Sequence, residues 1–303
     1  MHRWSLLLTC VMVPACYEIS LAGSVKKGPD ELWQSNPLFA ELVTKGLQLR
    51  EAKPLPLPAP LELAHLDAKG QQAAIRKLAG DNYPLEELLR ESVVAPMIYK
   101  FRDLAGPKPD LPARAVDLFF VAHGDLAKVS SKNVKQLLYS NRKDTQVTEL
   151  TEMDLKARGL SVTKKAKVEE TYLYIVFSVL DRVQVQGTHH IMFSQTADAM
   201  TFASRLDGRF QDDAKFANRW RSLNIDDAGQ RHLGPPQPYE GNAVYVRLTR
   251  LKEPAGAIFV EYHHVFLEPK QWFQGNSPLR SKLPLLLQTE VRAFRRALAK
   301  HGS

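Results

Sequence analysis

Two runs rich in aromatic and β-branched residues, Tyr172 to Leu180 and Val183 to Ser194, are separated by only Asp181 and Arg182. So short a connection has no room for a crossover, and the two runs are expected to pair as adjacent antiparallel strands. A second pair repeats the arrangement, with Asn242 to Leu251 and Ala257 to Phe266 flanking Lys252-Glu253-Pro254-Ala255-Gly256, a hairpin loop in composition. Val116 to Ala122 reads as a buried strand, Ser131 to Tyr139 as a short helix and Thr145 to Leu150 as another strand. Between the hairpins, Ala199 to Leu206 is expected to be a short helix. A long loop follows, ending at Gly234-Pro235-Pro236-Gln237-Pro238-Tyr239. At the C-terminus, Leu283, Leu287, Val291, Phe294 and Leu298 are spaced three or four apart and make one apolar stripe along a helix. Ser281 is its expected N-cap, with Pro284 in the first turn. The fold class that follows is α+β: an antiparallel sheet covered by a long C-terminal helix, with a helical N-terminal segment.

That N-terminal segment reads as a helix from Pro29 to about Gln48 and two more over Asp67 to Ala79 and Pro84 to Glu91. Between the first and second, Pro54, Pro56, Pro58 and Pro60 alternate with Leu55, Leu57 and Ala59. Alternate prolines fix φ and remove amide donors, so residues 53–61 are extended, as a linker or as a packed loop crossing the surface. Gly106-Pro107-Lys108-Pro109-Asp110-Leu111-Pro112 reads as a boundary between helical and strand-rich parts. The expected organisation is therefore a leader over residues 1–22, a helical segment over 23–110 and an α+β domain over 111–303.

The leader rests on Arg3, the short apolar core of Leu6, Leu7, Leu8, Val11, Met12 and Val13, and the small-x-small site Ser20-Leu21-Ala22. Val13-Pro14-Ala15-Cys16 offers a competing lipobox, in which the leader ends at residue 15 and Cys16 carries the lipid. Both cysteines, Cys10 and Cys16, fall in this stretch, so either processing leaves a chain without a disulfide, thiol nucleophile or thiolate metal site. An exported protein, periplasmic, secreted or lipid-anchored, is expected. No later stretch is apolar for the roughly 20 residues a transmembrane helix needs. Lysine and arginine outnumber aspartate and glutamate by 41 to 33, a mild excess that favours anionic surfaces without calling for nucleic acid.

No P-loop, GxGxxG, GxSxG, HExxH or CxxC motif is present, and no cofactor or metal is called for. Asn224-Ile225-Asp226-Asp227-Ala228-Gly229 has the outline of a calcium loop but lacks an oxygen ligand at Ala228 and the closing glutamate at Pro235. His189 and His190 cannot converge on one ion, nor can His263 and His264, because neighbouring strand residues point to opposite faces. Glu261 and His263 do share a face. If the last hairpin closes symmetrically about Pro254, Arg247 stands opposite Glu261 and Tyr245 opposite His263. Three readings of the group Tyr245, Arg247, Glu261 and His263 compete: a solvent-facing cross-strand ion pair, a polar patch in a ligand cavity, and an acid–base or metal site. Asp207, Arg209 and Trp220 are possible additions to either functional version. Trp272 and Phe273 are expected to cap the core at the corner before the last helix, and Arg292, Arg295, Arg296 and Lys300 to form a solvated face.

A sheet followed by one long terminal helix resembles the helix-grip layout of START-like ligand-binding domains over about residues 115 to 300. The helix from Ser281 to His301 and the hairpin before it carry the resemblance, and the insertion from Asp198 to Gly241 departs from it. It implies a cavity between sheet and helix and transfers no residue role. The leading expectation is a non-catalytic exported binding or cell-envelope protein holding an apolar or anionic ligand between sheet and helix. The expected partner is a small molecule or an envelope component. The alternative is a hydrolase using a His/carboxylate pair.

Overall fold

The computed structural model describes residues 34–50, 52–131, 134, 145–162, 168–273 and 278–302. The leader expected over residues 1–22 and the lipidation candidate Cys16 lie outside the described residues, as does most of the helix expected over Ser131 to Tyr139. The fold is α+β. Eleven described strands form one antiparallel system in the order β1-β2-β11-β10-β6-β5-β4-β3, with β7 paired to β5 off this path and β8 and β9 paired to β7. The strands are β1 (Met97–Lys108), β2 (Leu111–His123), β3 (Gln146–Glu149), β4 (Val168–Val179), β5 (Val183–Gln195), β6 (Ala199–Leu206), β7 (Arg219–Ile225), β8 (Arg231–Leu233), β9 (Gln237–Pro238), β10 (Asn242–Arg250) and β11 (Ala257–Leu267).

Both expected hairpins are present. In the first, Val179 pairs with Val183 across a turn in which Leu180 and Asp181 take left-handed backbone, with φ of 52° and 54°. The second has the symmetric register, with Tyr245 opposite His263 and Arg247 opposite Glu261. Ala199 to Leu206 is a strand, not the expected helix. Its Ala, Met and Leu content favours a helix, but it is hydrogen-bonded between β5 and β10 and almost wholly buried, so tertiary context overrides propensity. The long loop expected after it holds β7, β8 and β9. β5 forks there: Val183 to Gln186 pair with β7, and His189 to Gln195 pair with β6. Gly187 stands at the fork, where an added Cβ would lie 2.4 Å from Leu206 Cδ1.

Gly106 to Pro112 joins two hydrogen-bonded strands instead of separating helical from strand-rich parts. Residues 97–108, read with the helical segment, are β1, an edge strand with a bulge between Leu104 and Lys108. Pro107 is tolerated there because an edge strand at a bulge needs no amide donor from it.

Helices cover both faces of the sheet. On one face lies α5 (Leu279–Gly302), with α4 (Glu152–Lys156) elsewhere at the β3–β4 end. The α5 stripe of Leu287, Val291, Phe294 and Leu298 packs on Val116, Phe120, Val246 and Val260, and Phe294 meets Phe120 edge-on at 5.5 Å. Each such side chain contributes about 1.5–3 kcal/mol by leaving water. The helix starts two residues before the expected cap, so Pro284 lies inside it and Ser281 bonds back to Pro278 O. On the opposite face lie α1 (Pro37–Lys45), the proline-rich stretch, α2 (Ala68–Ala79) and α3 (Leu85–Leu89). Asn36 and Asp67 cap α1 and α2. The proline-rich stretch is a packed layer: Leu55 and Leu57 are buried, and Leu47 pairs with Leu55.

Candidate functional site

The predicted group of four lies on the face covered by the N-terminal layer, on the far side of the sheet from α5. Tyr245 and Arg247 are 0% exposed, and Glu261 and His263 are 1% exposed. The solvent-facing reading is therefore corrected: the register is as expected, but the layer from α1 through Leu63 roofs this face. Residues of that layer bond to the group directly. Leu61 N–H donates to Glu261 Oε1 at 2.8 Å, Tyr245 Oη donates to Pro58 O at 2.7 Å, and Arg247 Nη2 lies 3.8 Å from Glu62 Oε2.

Two further residues belong to the group. Asp117 of β2 stands opposite His263 in the sheet and takes its Nδ1 at 2.8 Å. Arg102 of β1 reaches the other Asp117 oxygen at 2.8 Å through Nη2. The sequence held a signal for Asp117, since it is the only charge in the run Val116 to Ala122 and a charge inside a buried strand requires a partner. The partner itself was not legible, because β2 and β11 are about 140 residues apart in the chain. His263 Nε2 lies 4.0 Å from Glu261 Oε1, so the imidazole sits between two carboxylates. Burial pushes the His263 pKa down, but the bonds and charges of Asp117 and Glu261 outweigh it and hold the ring above its ordinary value. Burial likewise raises Asp117, and the His263 bond and charge with Arg102 hold it below the usual carboxylate range. The group is an ion-paired network, Arg102–Asp117–His263–Glu261, that fastens the N-terminal layer to the sheet.

Asp207, Arg209 and Trp220 do not join it. Arg209 pairs with Asp207 and donates to Tyr172 Oη at 3.0 Å. One His/carboxylate pair, His190–Glu170, 2.7 Å apart, lines a recess of about 200 Å³ together with Ser35 and Glu41. Its Nε2 is bound to Glu170 and its Nδ1 is buried without a hydrogen-bond partner among the described residues, so neither nitrogen faces the recess as a base. No group of three or more metal-ligating side chains occurs among the described residues.

A larger cavity of about 680 Å³ opens between the β1–β2 turn, β7, β9 and the segment after β11. Its apolar lining is Leu111, Pro235, Pro238 and Pro269 with the largely buried Trp220 and Tyr239, and its polar lining is Lys108, Asp110, Ser222, Gln237, Glu240 and Gln271. The walls are fixed by backbone bonds: Lys270 N–H to Asp110 O, Glu268 N–H to Pro112 O, Tyr239 N–H to Asn218 O and Gly234 N–H to Ser222 O. Trp220 and Tyr239 are held from behind by Trp272, with ring centroids 6.4 and 5.6 Å away. Trp272 and Phe273 are buried in the core, as expected of that corner. The groove escaped the sequence reading because its walls come from four separate stretches of chain. The three prolines and the tyrosine of Gly234 to Tyr239 were its one visible trace.

No protein-family model matches the chain, and no curated protein matches it.

Proposed function

We propose that the chain is an exported, non-catalytic binding protein of the cell envelope, and that its ligand lies in the groove bounded by Trp220 and Tyr239. The groove carries this reading because it joins a large concavity, bordered by the exposed Pro235 and Pro238, to several side-chain hydrogen-bonding groups. It replaces the space between sheet and terminal helix as the ligand's place, since the α5 stripe is packed directly on the strands. The charged groups at the groove, Lys108, Asp110 and Glu240, sum to one negative charge, which does not suit an anion. Amide, hydroxyl and carboxylate groups beside exposed proline rings suit a neutral, hydroxyl-rich ligand of the saccharide class. Export rests on the N-terminal leader pattern and on the confinement of both cysteines to it.

Titration of soluble oligosaccharides, followed by tryptophan fluorescence and calorimetry, tests the groove. Binding is expected in the native protein and a loss of about tenfold or more in Gln237→Ala/Glu240→Ala, both exposed positions, with unchanged circular dichroism. Undiminished binding in that variant, or none across a broad glycan panel, overturns the reading. Intact Met1 and Cys10 on protein from the soluble cytoplasm of its host would overturn export.

A further inference from the structure

Arg295 was expected on a solvated face and is instead 4% exposed. Its Nε donates to Val121 O at 2.8 Å, Nη1 to Ala95 O at 2.6 Å and Val93 O at 3.3 Å, and Nη2 to Pro96 O at 3.0 Å. The guanidinium also lies 5.4 Å from the ring centroid of Phe120. Every partner is neutral, and no carboxylate pairs with it among the described residues. A guanidinium has five N–H groups, so one on Nη2 is unused. A buried cation without a counter-charge is costly, and carbonyl dipoles offset only part of that cost.

Beside it lies a cavity of about 230 Å³ between α5, β1 and the segment before β1. Gln288, Arg292 and Arg295 follow one another at helical spacing along the same side of α5 and all line it, with Tyr83 and Tyr99 opposite. Gln288 and Arg292 are exposed, and no acidic side chain lines the cavity. A water occupies about 30 Å³ of liquid, so the space admits a tetrahedral oxyanion with some of its hydration. Arg292, Arg295, Gln288, Tyr83 and Tyr99 line it. The exposed Arg292 has a guanidinium fork of the geometry that matches such an anion, and Arg295 adds its charge and the one N–H its carbonyl partners leave unused.

We propose that this cavity binds a phosphate-type oxyanion, free or borne by a lipid headgroup, with Arg295 in its wall and Arg292 at its rim. The site is separate from the saccharide groove and does not depend on it. The lipid source is included because Val94, which lines the cavity, is 57% exposed, and Leu285, one turn before Gln288, is 67% exposed.

Calorimetric titration of inorganic phosphate into the full chain, at constant ionic strength with chloride as the control, tests the site. Arg292→Gln is the informative variant, because Arg292 is exposed and its loss leaves the Arg295 bonds in place. Saturable phosphate binding, weakened about tenfold in Arg292→Gln, is expected. No binding beyond that of chloride, or equal binding in the variant, overturns the proposal. Flotation with phosphatidylcholine vesicles, with and without phosphatidylglycerol, separates the two sources. Capture only by the anionic vesicles, competed by phosphate and lost in Arg292→Gln, assigns the oxyanion to a headgroup. Phosphate binding without vesicle capture assigns it to a free anion.

Discussion

Two buried histidines respond to pH in opposite directions. His189 is held by burial at a pKa of about 4 and contacts Ser204 Oγ at 3.2 Å, so it is neutral in the folded chain. Below its unfolded value near 6.5 the unfolded chain binds the extra proton, and stability falls as the pH drops from about 6.5 to 4. The shift corresponds to about 3 kcal/mol across that window. His263 has the other sign. Its folded pKa is raised, so its contribution is complete below about 6.5 and is lost as the pH rises through the higher folded value. Asp117, whose folded pKa is lowered, contributes above its unfolded value and loses that contribution as the pH falls through the depressed one. Urea unfolding across pH 4 to 9 is therefore expected to give a maximum, and His189→Gln to flatten its acid side. An acid limb as steep in the variant as in the native chain would show that His189 is not responsible. At this scale the sequence was informative about which residues share a face. It was silent on burial, which depends on what lies above the strand.

At the scale of elements, the proline-rich stretch has the most unusual role. Its prolines give up amide donors, yet Leu61, the first residue after Pro60, supplies the N–H that bonds to the buried Glu261 carboxylate. A hydrogen bond to a charged group contributes about 1.5–3 kcal/mol, and more is lost when the charge stays buried without it. Leu61→Pro is expected to lower stability by about 2–4 kcal/mol, whereas Leu61→Ala keeps the donor and loses only part of a side chain. Chemical denaturation of both variants checks this, and equal losses would mean that the amide does not matter. The sequence identified an extended element here but not its contacts, because polyproline geometry is local and its docking is not. The reverse held for Ala199 to Leu206, where local propensity pointed to a helix and two flanking strands imposed a third.

On the scale of the whole molecule, the sheet is covered on one face by α5 and on the other by the N-terminal layer, and the layers differ in kind. The α5 face is apolar throughout its contact, with Arg295 at its edge, while the N-terminal face encloses the ion-paired network. A chain ending at residue 278 would expose the apolar strand face that Leu287, Val291, Phe294 and Leu298 cover. It is expected to bind a hydrophobic dye and to aggregate, as monitored by dye fluorescence and light scattering. A soluble, dye-negative truncated chain would show that the helix is dispensable. None of the described helices is long and apolar enough to cross a membrane.

The sequence by itself determined the α+β class, both hairpins with the register of the second, and the apolar stripe of the last helix. Each of these depends on side-chain periodicity or on short connections, which act over a few residues. Only the tertiary structure decided which face of the sheet each helix covers, that the predicted polar group is sealed, and where cavities open. Those outcomes depend on contacts between stretches as distant as Leu61 and Glu261 or Ala95 and Arg295, and no local pattern encodes them.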